Sequence, residues 1–166
     1  MLKHSRLLEV LDYNKTSGQF TWKAATRYSS PKQPGDIAGT KLRGGYIGIS
    51  IDGKKYLAHR LAWFYEHGEM PSLFIDHING KTDDNRISNL RVVTNQQNAQ
   101  NKRTAHANNS HGFLGVSKEG GKWKARIRVD GKEKYLGLFA TPDEAHAAYV
   151  AAKVAFHPFQ TLKEAA

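Results

Sequence analysis

Cysteine is missing from the 166 residues, which rules out disulfide bridges and any zinc site built on thiolates, so packing must hold the fold. Long apolar runs are missing too. Nothing approaches the ~20 residues that cross a bilayer, and Met1-Leu2-Lys3-His4-Ser5-Arg6 lacks the apolar core of a secretory signal. The expectation is a soluble protein of the cytoplasm with no membrane partner. Acidic residues are few: 15 Asp and Glu stand against 25 Lys and Arg, a formal net charge of +10. That balance points to a polyanionic partner, with nucleic acid the leading candidate. The length suits one ordinary domain or two small ones, and small domains bury proportionally less surface.

What is present is organised around Phe74-Ile75-Asp76-His77-Ile78-Asn79-Gly80 and the later Asn89-Leu90-Arg91-Val92-Val93-Thr94. An apolar run ends on adjacent Asp76 and His77, and a polar loop follows. A second apolar run returns over Leu90 to Val93, and Thr94 opens a helix with Gln97 at the capping-box position. The reading is strand, loop, strand, helix, with Asn98 near the end of the helix's first turn. A carboxylate and an imidazole at a strand end, facing a helix amide, can enclose an oxygen-coordinated ion, with His77 beside it as proton acceptor.

At these residues the chain resembles the HNH endonucleases of the phage and intron-encoded homing type. The resemblance implies a ββα-metal module in which Asp76 and Asn98 hold a divalent metal, Mg²⁺ or Mn²⁺, with no structural zinc. It implies His77 as general base, and Asn89 as the catalytic-site amide that holds the loop so that the imidazole points correctly. Plain turn stabilisation by Asn89 and a simple surface amide at Asn98 remain open. If phage-encoded, the protein would work in the host-cell cytoplasm.

Upstream, Ser5 to Asp12 carries Leu7, Leu8 and Leu11 at helical spacing and predicts a helix, followed by a break and one edge strand over Gln19 to Lys23. Ala24 to Gly45 has no sustained period and predicts a long surface loop, either tracking a DNA backbone or serving as a solvated connector. Tyr46 to Leu57 reads as a hairpin closed by Asp52-Gly53, which supplies the positive φ angles of a two-residue turn. Ala58 to Gly68 reads as a short helix packing Leu61, Phe64 and Tyr65 inward. His59 is either a hydrogen-bonded structural residue or a ligand, and Arg60 either grips the scissile phosphate or pairs with a carboxylate. This hairpin and helix also resemble what precedes the catalytic motif in HNH proteins.

Beyond Asn98 apolar content falls and Asn and basic residues accumulate, as in a linker. Three strands follow from Phe113 to Phe139, the last two joined by Asp130-Gly131. Alternation places Trp123, Ala125, Ile127 and Val129 on one face and Lys124, Arg126 and Arg128 on the other. Thr141-Pro142-Asp143-Glu144 then opens a helix whose apolar stripe is Ala145, Ala148, Tyr149, Ala152 and Phe156. A sheet covered by a helix on one face leaves a cationic face open, wide enough to enter a major groove.

Gly115-Val116, Trp123, Ala125, Ile127-Arg128, Tyr135-Leu136-Gly137, Phe139-Ala140-Thr141, Glu144-Ala145 and Ala148-Tyr149 resemble the AP2 DNA-binding domain. That likeness implies DNA contacts from Arg128 and Tyr135, with Arg126 and Lys118 nearby. Leu114 and Ser117 stand where plant domains carry Arg, so their base preference does not transfer. The expected architecture is α+β. An N-terminal helix, strand and basic loop (1–45) precede the nuclease module (46–103), a linker (104–111) and an AP2-like three-stranded antiparallel sheet packed on one helix (112–160).

The function expected is a metal-dependent endonuclease on double-stranded DNA, a monomer or weak dimer, nicking one strand per monomer. The interface would comprise Arg60, Arg91, Lys102, Arg103, Lys118, Lys124, Arg126, Arg128 and Tyr135. The rival reading is a DNA-binding regulator in which the HNH-like part is an inert platform.

Overall fold

The computed structural model describes residues 2–25, 31–101 and 112–157. The chain divides into two compact units, Met1–Asn95 and Gln96–Ala166.

In the first unit, helix α1 (His4–Val10) runs straight into strand β1 (Leu11–Asn14), which pairs antiparallel with β2 (Gln19–Trp22). The helical spacing over Ser5 to Asp12 therefore extends too far. Leu11 and Tyr13 alternate with Asp12 and Asn14 between core and solvent, and pairing with Trp22 and Phe20 outweighs the local helical signal. The expected long loop is also interrupted: β3 (Ile37–Ala38) joins β2, and β4 (Thr40–Lys41) joins β5 (Ile47–Ile51). These strands are two residues long, too short to leave a period.

The Asp52-Gly53 turn forms as expected, with φ of 49° and 75°, and pairs β5 with β6 (Lys54–Leu57). Helix α2 (Ala58–His67) follows and stops at Gly68, whose φ of 76° is the left-handed conformation of a helix end. Its Leu61 and Phe64 are buried and Tyr65 packs against the same core. That core also takes Leu7, Leu11, Tyr13, Phe20, Trp22, Ile49, Ile51, Ile75 and Leu90. The N-terminal segment thus shares one interior with the strand that carries the Asp-His pair. The pair lies on β7 (Phe74–His77), which runs antiparallel to β8 (Leu90–Val93) with Asp76 opposite Arg91 and His77 opposite Leu90. Helix α3 (Asn95–Gln100) begins after Thr94.

The second unit is a sheet of order β11-β10-β9, formed by β9 (Val116–Glu119), β10 (Lys122–Val129) and β11 (Lys132–Phe139), packed on helix α4 (Pro142–Phe156). Its core is small: Val116, Ala125 and Ala145 lie at the centre, ringed by Phe113, Trp123, Leu136, Phe139 and Ala148. Close approach is enforced at Gly115, where a Cβ would fall 2.0 Å from the Tyr149 ring. The predicted capping box is present, with the Glu144 N–H donating to Thr141 and the Glu144 carboxylate accepting from the Thr141 N–H. Phe156 does not join the buried stripe. It is 37% exposed, with the Lys134 ammonium 4.0 Å from its ring centroid. No helix of the described residues is long and apolar enough to cross a membrane.

Candidate active site and nucleic-acid interface

Strand alternation separates Asp76 from His77. The Asp76 carboxylate meets Arg91 across the ribbon, its Oδ2 accepting from Nε at 2.9 Å and Nη2 at 2.8 Å. Arg91, expected on DNA, is thus engaged with the proposed metal ligand. Both bonds converge on Oδ2, so Oδ1 takes neither of them.

His77 turns inward and is only 3% exposed. Its ring lies 5.0 Å from that of His59 and 5.9 Å from Tyr46, and its Nε2 is 3.3 Å from the Asn85 Oδ1. Burial pushes the His77 pKa down, against opposing effects of the Asn85 bond and of Asp76, Asp84 and Asp83. The imidazole is therefore neutral at neutral pH, the state a proton acceptor needs. His59 behaves alike: burial, then repulsion from His77 and Arg60, lowers its pKa to about 4. Among the described residues, the buried side-chain nitrogens and oxygens without a partner are His59 Nδ1, Gln100 Oε1 and His157 Nδ1. His59 is a structural neighbour of His77, without a hydrogen bond at Nδ1.

Asn89 closes the loop between the two strands. Its side-chain oxygen accepts from the Asn79 N–H at 3.0 Å, and its amide NH₂ donates to Asn79 Oδ1 at 3.0 Å and to the Asp84 carbonyl at 2.8 Å. Its own carbonyl accepts from the Ile78 N–H, one residue beyond His77. Asp84 in turn grips Arg86 with both oxygens, at 2.7 and 2.6 Å, and Arg86 pulls its pKa down to about 2. The Lys41 ammonium reaches Asp83 at 3.0 Å, and the Thr82 hydroxyl donates to the Gly44 carbonyl, so the β4–β5 segment braces the same loop.

Arg60 has no carboxylate partner among the described residues. Its guanidinium donates to the Pro71 and Leu73 carbonyls and ties α2 to the approach of β7. Asn98 is an exposed residue of α3 in the second unit. Lys102 and Arg103 lie outside the described residues.

The donor types suit a hard divalent ion, which takes oxygen ligands and keeps several waters rather than needing a full protein cage. Asp76 and Asn98 both offer oxygen. No group of three or more His, Cys, Asp or Glu suited to a metal occurs among the described residues.

On the second unit's sheet, Arg126, Arg128 and Tyr135 face solvent, with Tyr135 58% exposed and directly opposite Arg126. A register shift between Ala125 and Arg126 leaves Leu136 as the extra residue of a bulge. Two cations of this face are paired: Arg126 with Glu133 at 3.0 Å and Lys124 with Glu119 at 2.9 Å. Such surface pairs contribute about 0–1 kcal/mol, little enough to be exchanged for phosphate contacts. Lys118 stands with its ammonium 6.0 Å from the Trp123 ring centroid.

Three residues of the first site were given no role by sequence reasoning: Asn85, Tyr13 and Tyr46. Their only signal was position, Asn85 in the polar loop and Tyr46 at the start of the hairpin.

Comparison with known proteins finds likeness over part of the chain. Residues 56–100 match the model of the HNH endonuclease family. Protein 3.8 of Escherichia phage T7 is 32% identical over 78 residues, which are 45% of this chain and 64% of that protein. A solved structure described as "DNA binding and cleavage by the HNH homing endonuclease I-HmuI" is 26% identical, covering 55% of this chain and 51% of that one, with a TM-score of 0.40. The chain thus spans just under two thirds of the first relative and about half of the second. The likeness over residues 56–100 is thus to a family of endonucleases, whose chemistry is phosphodiester hydrolysis.

Proposed function

We propose that the protein is a metal-dependent HNH endonuclease of the homing type that hydrolyses double-stranded DNA, with an AP2-like second module that holds the duplex. The observation that carries this reading is the coincidence of the HNH match with a neutral, rigidly held His77 at the end of β7. The nuclease module is 46–103 and the AP2-like module 112–160, with 104–111 as the linker outside the described residues.

A phosphodiester resists attack because its anionic oxygens repel a nucleophile and its 3′ oxygen leaves poorly. A divalent ion, Mg²⁺ or Mn²⁺, held by Asp76 and Asn98 would supply positive charge against the charge that develops in the transition state. His77 takes the proton of the attacking water, a contribution of about 10²- to 10⁴-fold. Asn89 holds the loop that presents the imidazole, and Arg91 orients the Asp76 carboxylate. Lys118, Lys124, Arg126, Arg128 and Tyr135 of the sheet, with Lys102 and Arg103 of the nuclease segment, contact the duplex. Arg60 is assigned to loop anchoring instead.

One such site per chain gives a nick by a monomer, and a double-strand break needs a weak dimer or two encounters. Incubating supercoiled plasmid with the full chain and Mg²⁺ or Mn²⁺ tests the proposal. Conversion to the open-circular form, abolished by a chelator, is expected. Retained DNA binding without nicking in either metal would instead leave the regulator reading, with an inert HNH platform.

A further inference from the structure

We infer that Asn85, held from behind by Tyr13, is a positioning residue that selects the tautomer of His77. The inference rests on the proposed role of His77 and deepens it.

The amide of Asn85 is oriented by its neighbours. Its NH₂ donates to the Asp83 carbonyl at 3.2 Å, which leaves Oδ1 as the atom facing His77 Nε2 at 3.3 Å. A carbonyl-type oxygen only accepts, so Nε2 must carry the hydrogen. In a neutral imidazole the lone pair then sits on Nδ1, and that nitrogen is the one able to take a proton from water. The opposite tautomer would set the Nε2 lone pair against the lone pairs of Oδ1. After proton transfer the imidazolium carries hydrogen on both nitrogens and still donates Nε2–H to Asn85, so the hydrogen bond survives the step and steadies the charged ring.

Asn85 itself cannot swing away, because it is 2% exposed and clamped through its backbone. The Tyr13 hydroxyl donates to the Asn85 carbonyl at 2.7 Å inside the core. Burial, with smaller contributions from Glu66 and Asp84, raises the Tyr13 pKa to about 12, so it keeps its hydrogen across the working pH range. Gly18, at the turn of the β1–β2 hairpin, lies so close that a Cβ would come 2.4 Å from the Arg86 nitrogen and 2.7 Å from the Asn85 carbonyl carbon. Its φ of 75° adds a second reason for glycine there. The N-terminal hairpin is thereby a buttress for the base, reached through one amide side chain.

The test is nitrogen NMR of the full chain with ¹⁵N-histidine, His77 being assigned by its loss in His77→Gln, combined with steady-state nicking. The expected wild-type signature is a protonated Nε2 and an unprotonated Nδ1. Asn85→Leu removes the acceptor at similar volume and should mix the tautomers and lower kcat about 10- to 100-fold with KM unchanged. Asn85→Asp keeps an acceptor oxygen and should preserve the signature. Tyr13→Phe, which keeps the ring, should shift both readouts the same way by less, and decides the matter should Asn85→Leu fail to fold. A wild-type His77 protonated on Nδ1, or an unchanged tautomer and kcat in Asn85→Leu and Tyr13→Phe, would overturn the inference. Absence of nicking by the wild type would sink the proposed function instead, while the tautomer reading would still decide the role of Asn85.

Discussion

On the β7–β8 ribbon and its loop, His77, Asn85 and Asn89 are buried, and several polar side chains have a defined partner: His77 with Asn85, Asn89 with Asn79, Asp76 with Arg91. On the β10–β11 ribbon the charges face water, and two of the cations are paired with acids that are themselves exposed. Both ribbons are antiparallel pairs joined to a helix, so architecture does not explain the contrast. Under the proposed function, what differs is the demand of the task. Bond cleavage depends on angles and distances around a few atoms, and only buried, fully bonded groups hold those. Retaining a polyanion depends on summed charge, which exposed and exchangeable cations supply without fixed geometry.

Substitutions should separate the two regions cleanly. The largest effect is expected from His77→Ala, which should lower the nicking rate by about 10²- to 10⁴-fold while leaving DNA affinity in a gel-shift titration unchanged. Loss of affinity alongside activity would mean that the buried site also holds the duplex. The converse change, Arg126→Ala with Arg128→Ala, should weaken binding and flatten its salt dependence by ~0.9 in log–log slope for each phosphate no longer neutralised. Nicking at saturating protein should persist. An unaltered slope would remove this face from the interface.

A smaller effect is confined to the first region. His59 is 5% exposed and its pKa falls from 6.5 to about 4, so as the pH drops the unfolded chain takes up a proton before the folded one does. Stability is full above the unfolded value and is lost as pH falls through that window, by about 2 kcal/mol between pH 7 and pH 5. The depressed pKa of His77 acts in the same direction. Urea unfolding at the two pH values should show a clearly smaller difference in His59→Phe than in the wild type. An equal difference would shift the acid sensitivity onto other groups, such as His77.

Much of the scaffold could be read directly. Asp52-Gly53 and Asp130-Gly131 each put an Asp at φ near 50° followed by a left-handed Gly, and both hairpins appear where those dipeptides stand. Gly68 ends α2 and Thr141 caps α4 for equally local reasons. The strand ending in Asp76-His77 and the return strand over Leu90 to Val93 were legible from their apolar runs.

What the sequence did not disclose shares a cause. Leu11 and Asp12 follow a helical period yet form a strand, because their partners Trp22 and Thr21 lie about ten residues on. Arg60 and Arg91 look like free cations along the chain, and in the fold they serve Pro71, Leu73 and Asp76. Asn85 carries no local signal, because its bond to His77 gains meaning only once Tyr13, 72 residues away, fixes the backbone behind it. The sequence by itself therefore determined turns, caps and most strand positions, since these depend on neighbours within a few bonds. Which polar groups are buried and whom each one meets were decided only by tertiary structure, because desolvation favours a partner for an inward-facing polar atom wherever the fold supplies one.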